Sequence, residues 1–123
     1  MSEIERDHEL MWLLKEDNLK VPYQKVTYED GGVYKGIYEN EMRTVKGVYI
    51  FPNKDIYMGG WRKDRFHGDG VYIYLNGDKF RGKFEEGVKK GRGVYLYKSG
   101  AFYDGEWEND KKTGKGTYVY SNK

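Results

Sequence analysis

The chain has 123 residues, 37% of them apolar and 34% charged, and its 22 basic and 20 acidic side chains leave a formal net charge of +2. That length fits one domain with a modest core, and the near balance of charge supplies no strong field for nucleic acid or an anionic membrane. The 13 Tyr, 5 Phe and 3 Trp exclude a disordered chain, while zero cysteines exclude disulfides, thiolate catalysis and thiolate zinc sites.

The amino terminus begins MSEIERDHE, acidic where secretory and transit signals are basic or poor in acids, which points to a cytoplasmic protein. The longest apolar run, Leu10 to Leu14, is far short of the roughly 20 residues that span a bilayer. Residues 2–20 read as a helix. Ser2 with Glu5 forms a capping box, and Pro22 disfavours helical geometry at Val21. At about 100° per residue, Ile4, Leu10, Met11 and Leu14 share one face, which Trp12 and Leu19 widen. Two readings stand: residues 1–22 dock on the chain's own sheet as a cap, or they anchor in a partner's groove. Insertion into a membrane surface is disfavoured by the acids Glu3, Glu5, Asp7, Glu9, Glu16 and Asp17 on the polar side.

From Val26 onward the sequence is periodic. Aromatics recur every 23 residues at Tyr34, Tyr57, Phe80 and Tyr103; taking each as position 1, position 3 is Gly36, Gly59, Gly82 and Gly105. Position 5 is Tyr38, Trp61, Phe84 and Trp107, and position 14 is Gly47, Gly70, Gly93 and Gly116. Positions 16 and 18 are aromatic in all four units, as in Tyr72 with Tyr74, Tyr95 with Tyr97 and Tyr118 with Tyr120. Steps of two place these residues on one face of a strand. Each unit is therefore two strands, with turns such as Leu75-Asn-Gly-Asp between units and within them a longer exposed loop, Lys63 to His67 or Glu86 to Lys90, which contains glycine in the later repeats. Val26, Tyr28 and Gly31 supply a preceding half-unit. In this pattern each ring lies over a glycine that leaves its face free.

On the opposite face, positions 15 and 17 form an apolar stripe: Val48, Ile50, Val71, Ile73, Val94, Leu96 and Val119, broken only by Thr117. The first strands show mostly charge there, as in Arg81, Lys83, Asp104 and Glu106. Such a stripe is either covered by neighbouring side chains and the amino-terminal segment or offered to a partner. The candidate partner-binding set is accordingly Leu10, Met11, Trp12, Leu14, Val71, Ile73, Val94 and Leu96.

Tyr57-x-Gly59-x-Trp61, then Gly68-x-Gly70-x-Tyr72 and Gly77 before Phe80, resembles the MORN (membrane occupation and recognition nexus) repeat; so does Tyr103-x-Gly105-x-Trp107 with Gly114-x-Gly116-x-Tyr118. The resemblance covers residues 26–123. It implies an all-β repeat fold, an elongated single-layer antiparallel sheet of about four and a half stacked hairpins over residues 23–123. It also implies an assembly or interaction module with no catalytic activity, and for some members phospholipid binding. In the first unit Glu41, Val45 and Lys54 replace loop and turn glycines of the later ones, which predicts a different loop shape there, suited to a cap.

Basic residues gather near the intra-unit loops: Arg62, Lys63 and Arg65, then Lys89, Lys90 and Arg92, then Lys111, Lys112 and Lys115. Stacked hairpins would align them as an edge for anionic lipid headgroups. Other chemistry is set aside. Gly68-Asp69-Gly70 runs into a strand where a phosphate loop needs a helix amino terminus. His8 and His67 lack a second histidine at ligand spacing, so no metal or cofactor is expected. Nucleic acid is not expected either, since the ring faces are needed for packing. The leading reading is a non-catalytic scaffold or adaptor subunit that binds other proteins, and the resemblance to MORN repeats implies a place in a cytoskeletal or ciliary assembly such as an axoneme. The alternative is a peripheral module for anionic phospholipid.

Overall fold

A computed structural model of the chain describes residues 23–121, and the predicted helix over residues 2–20 lies outside them. The described residues form a single sheet of nine strands: β1 (Tyr23–Thr27), β2 (Val33–Glu39), β3 (Met42–Ile50), β4 (Ile56–Arg62), β5 (Arg65–Ile73), β6 (Lys79–Glu85), β7 (Val88–Leu96), β8 (Phe102–Glu108) and β9 (Lys111–Val119). Every strand pairs antiparallel with the next, so spatial order equals chain order and the sheet extends by one hairpin per repeat. At about 4.8 Å per strand the array is roughly 38 Å from β1 to β9.

The register follows from the glycine spacing. Gly36 pairs with Gly47, Gly59 with Gly70, Gly82 with Gly93 and Gly105 with Gly116, each a cross-strand pair without side chains. The position-1 ring lies over that gap: a Cβ on Gly93 or Gly70 would collide with the ring of Phe80 or Tyr57 respectively. Tyr34, Tyr57 and Phe80 are completely buried as a result, although the fold has one layer. The Tyr34 hydroxyl donates to the carbonyl of Ile37 at 2.8 Å, and that of Tyr57 donates to the carbonyl of Gly60 at 2.8 Å. Burial raises both phenol pKa values well above the ordinary tyrosine range. Stability from these phenols is therefore complete below about pH 10 and fades in strong alkali, as the unfolded chain ionises first.

Two expectations are corrected. Within each unit the connection is a two-residue turn rather than a longer loop: Asn40-Glu41, Lys63-Asp64, Glu86-Gly87 and Asn109-Asp110 all have positive φ, which matches the twist of a tight hairpin. Gly68, Gly91 and Gly114 lie inside β5, β7 and β9 with φ of +83°, +95° and +56°, beside the register shifts of those hairpins.

The first unit also keeps the common loop shape. Glu41, Val45 and Lys54 take φ of 59°, 60° and 80°; glycine holds this conformation in the later units at the Val45 and Lys54 positions, while at the Glu41 position Asp64, Gly87 and Asp110 share it. For β-branched Val45 this is costly, and its 58% exposure shows that little packing offsets the strain. Val45→Gly should therefore stabilise the protein by about 1 kcal/mol, read as a higher urea midpoint at unchanged slope.

The face opposite the rings is uneven. Val48, Met58, Val71 and Ile73 form a second buried cluster with Ile56 against it. The first strands are not uniformly charged there, because β2 contributes Ile37 where β6 and β8 place Lys83 and Glu106, and β4 contributes Met58 where they place Arg81 and Asp104, with Ile56 at the position of Lys79.

Candidate interaction surface

The ring-bearing face is built by the same contacts in the second, third and fourth units, whereas Tyr38 in the first lies tilted against Tyr34. The position-5 ring sits edge-on between the position-1 rings of its own and the preceding unit. Trp61 lies 5.3 Å from both Tyr34 and Tyr57, at 83° and 89°; Phe84 lies 5.1 Å from Tyr57 and 5.4 Å from Phe80; Trp107 lies 5.0 Å from Phe80. These T-shaped contacts set ring edge against ring face, the electrostatically favoured arrangement. The indole N–H of Trp61 donates to the carbonyl of Gly47 and that of Trp107 to the carbonyl of Gly93, each at 3.1 Å, tying a unit to the one before it.

Position 10 then decides what covers the rings. The Arg43 guanidinium lies 4.7 Å from Trp61 and 5.0 Å from Tyr49. Phe66 stacks on Tyr57 at 3.9 Å and 15°. Lys89 stands over Phe80 at 5.1 Å and Lys112 over Tyr103 at 4.9 Å. Position 8 of the following unit matches this choice: Asp64 faces Arg43, Gly87 follows Phe66, and Asp110 accepts from the Lys89 backbone N–H at 2.8 Å. Sequence reasoning missed this pairing, yet the signal was there in the concerted change of positions 10 and 8 between units.

Asp64 accepts from Arg43 Nε at 2.6 Å and from its backbone N–H at 3.0 Å. Burial would push the Asp64 carboxyl up, but those hydrogen bonds and the charge of Arg43 outweigh it and hold the pKa below the ordinary value. A lowered folded-state pKa adds stability that is present above the unfolded value near 4 and lost as pH falls through the folded one. Because Asp64 is 43% exposed, solvent reduces the effect. Asp64→Asn should cost about 1–2 kcal/mol at pH 7 and less at pH 2, as urea melts at the two pH values would show.

The second-strand tyrosines form a continuous ladder outside this core. Centroid distances are 4.6 Å for Tyr72–Tyr74, 5.6 Å for Tyr74–Tyr95, 4.7 Å for Tyr95–Tyr97, 5.8 Å for Tyr97–Tyr118 and 4.5 Å for Tyr118–Tyr120. Their hydroxyls alternate in partner. Tyr72 and Tyr95 donate to Asp55 and Asp78 at 2.8 Å, whereas Tyr74 and Tyr97 accept from Lys89 and Lys112 at 2.8 and 2.9 Å. Desolvation, then the carboxylate bond, raises the pKa of Tyr72 and of Tyr95. The ladder opens toward solvent along the sheet, with Tyr118 at 41% and Tyr120 at 77% exposure. At its β3–β5 end lies an open depression of about 300 Å³ lined by Arg43, Phe51, Trp61 and Phe66.

This geometry repeats in register with a family model. The MORN repeat model matches residues 34–56, 57–79, 80–102 and 103–123. The chain belongs to the MORN repeat family. MORN repeats are generally protein- or lipid-interaction modules, and the family is in general non-enzymatic. A search of curated proteins found no match.

The basic edge divides in this MORN sheet. Lys89 and Lys112 lie over rings, Arg65 pairs with Glu86 at 3.4 Å, Lys90 stands between Glu85 at 3.9 Å and Glu108 at 3.7 Å, and Arg92 meets Asp104 at 3.2 Å. Arg62, Lys63, Lys111 and Lys115 are exposed. Arg62, Lys63, Arg65 and His67 line a shallow depression of about 330 Å³ that also holds Glu86. Of the candidate partner set, Val71 and Ile73 are buried at 2% and 8% while Leu96 is 42% exposed; Leu10, Met11, Trp12 and Leu14 lie outside the described residues. Among the described residues no three His, Cys, Asp or Glu group as a metal site would require.

Proposed function

We propose that the protein is a non-catalytic scaffold or adaptor that binds another protein along the tyrosine ladder, from Tyr72 to Tyr120. The observation that carries this reading is the ladder itself. Rigid aromatic rings with one polar atom each, flanked by cations, have the composition of interface hot spots. Few rotatable bonds per ring keep the ordering cost of binding low. A cytoskeletal or axonemal assembly is the setting we propose, since a stiff repeating rod suits a place among many subunits. Peripheral binding to anionic phospholipid is the second reading, and the partnered cations of the basic edge weigh against it.

Affinity purification from native cells tests the proposal. The wild-type protein should retain a reproducible protein partner, and Tyr97→Ala/Tyr120→Ala should lose most of it while melting normally. Sedimentation with anionic vesicles that falls as salt rises and disappears on charge reversal at Lys63 and Lys111, with no protein partner retained, would replace the scaffold reading by the lipid one.

A further inference from the structure

Over β2 to β5, one face of this sheet is closed from solvent although the sheet has no second layer to close it. Every described element lies in the single layer, yet opposite the rings Ile37 and Val48 are 3% exposed, Met58 1% and Val71 2%. The chain supplies its own comparison. Ile73, Leu96 and Val119 occupy the same repeat position on the same face, and their exposures are 8%, 42% and 40%. On β7 and β9 that position stays about two-fifths open, while Ile50 on β3 is partly buried and Ile73 on β5 is buried, which points to a cover over β3 to β5.

We propose that the cover is the chain's own amino-terminal segment, residues 1–22, seated through Ile4, Leu10, Met11 and Leu14 on the patch formed by Val48, Met58, Val71 and Ile73. Nineteen residues as a helix reach about 28 Å, against roughly 15 Å across β2 to β5. The chain enters the sheet at β1, beside the covered strands and far from the open ones. Charge fits as well: just beyond the patch the face turns basic at Lys79 and Arg81 in β6, and the polar side of the segment carries six acids against three bases. The same patch explains why β2 and β4 depart from the charged pattern of β6 and β8.

Because the protein has no cysteine, introduced thiols report this face directly. In the full chain, Val71→Cys should react with a maleimide at least about tenfold more slowly than Val119→Cys. Adding Leu10→Glu and Leu14→Glu should bring the two rates within about threefold. As a measurement that needs no destabilising change, oxidation of a Leu14→Cys/Val71→Cys chain should give an internally bridged monomer. Protection of Val71→Cys that survives the two glutamates, protection that grows with protein concentration, or a disulfide-linked dimer would each overturn the proposal; the last two would assign the face to a second copy.

Discussion

Gly82→Val should abolish the cooperative fold, whereas Gly87→Ala should cost only about 1 kcal/mol. A Cβ on Gly82 would lie 2.6 Å from the Cα of Gly93, 2.7 Å from the carbonyl oxygen of Arg92 and 2.8 Å from Cζ of Phe80. Two of those neighbours are backbone of the paired strand, so β6 and β7 would have to part before valine fits. Extra methylenes in a packed core cost about 1–3 kcal/mol before any strand separation. Losing the glycine pair and displacing the Phe80 ring as well should bring the loss to at least about 4 kcal/mol, much of the total stability of a small domain. Gly87 has φ of +90° and no atom within 4 Å of its Cβ position, so alanine there meets only conformational strain. Urea melts of the two variants decide the matter. Equal losses would mean that the paired glycines serve backbone conformation and not the rings above them.

Trp61→Ala should cost about 3–5 kcal/mol, the largest effect expected of any single ring. Trp61 joins two units. It is 4% exposed, touches Tyr34 of the first unit and Tyr57 of its own, donates to Gly47, and carries the Arg43 guanidinium on its face. Trp61→Phe should cost only about 1 kcal/mol, because Phe84 fills the equivalent place in the third unit without an N–H to donate. Equilibrium unfolding followed by tyrosine absorbance measures both variants. A phenylalanine as damaging as alanine would show that the indole hydrogen bond, and not edge-on ring packing, holds successive units together.

The parts of this structure legible in the sequence are those encoded by strict local spacing. Tyr57, Gly59 and Trp61 two apart fix a strand and its buried face, and the 23-residue period fixes the order of strands. The ring-over-glycine packing followed from the same positions, because a β-strand sorts alternate residues without regard to what lies beyond it. Turn lengths did not follow. Gly68 marks a positive φ, and in sequence a bulge inside β5 looks the same as a loop before it. The Arg43–Asp64 pair was missed for a different reason: its members are 21 residues apart and meet only once the hairpin register is known. The apolar patch around Met58 was underestimated because the charged first strands of the third and fourth units stood for all four. The interaction surface was sought on that stripe and on the basic edge, whereas the tyrosine ladder had been counted wholly as core; its outward edges emerge only when strand twist and exposure are known.

Nitration of tyrosine, mapped residue by residue with and without the co-purified partner, tests the central claim most directly. In the isolated protein Tyr120 and Tyr118 should react, while Tyr34 and Tyr57, completely buried, should not. With the partner bound, Tyr97, Tyr118 and Tyr120 should be protected together. Unchanged nitration of all three, with Lys63 and Lys111 protected from amine modification instead, would contradict binding along the tyrosine ladder and move the interaction to the basic edge.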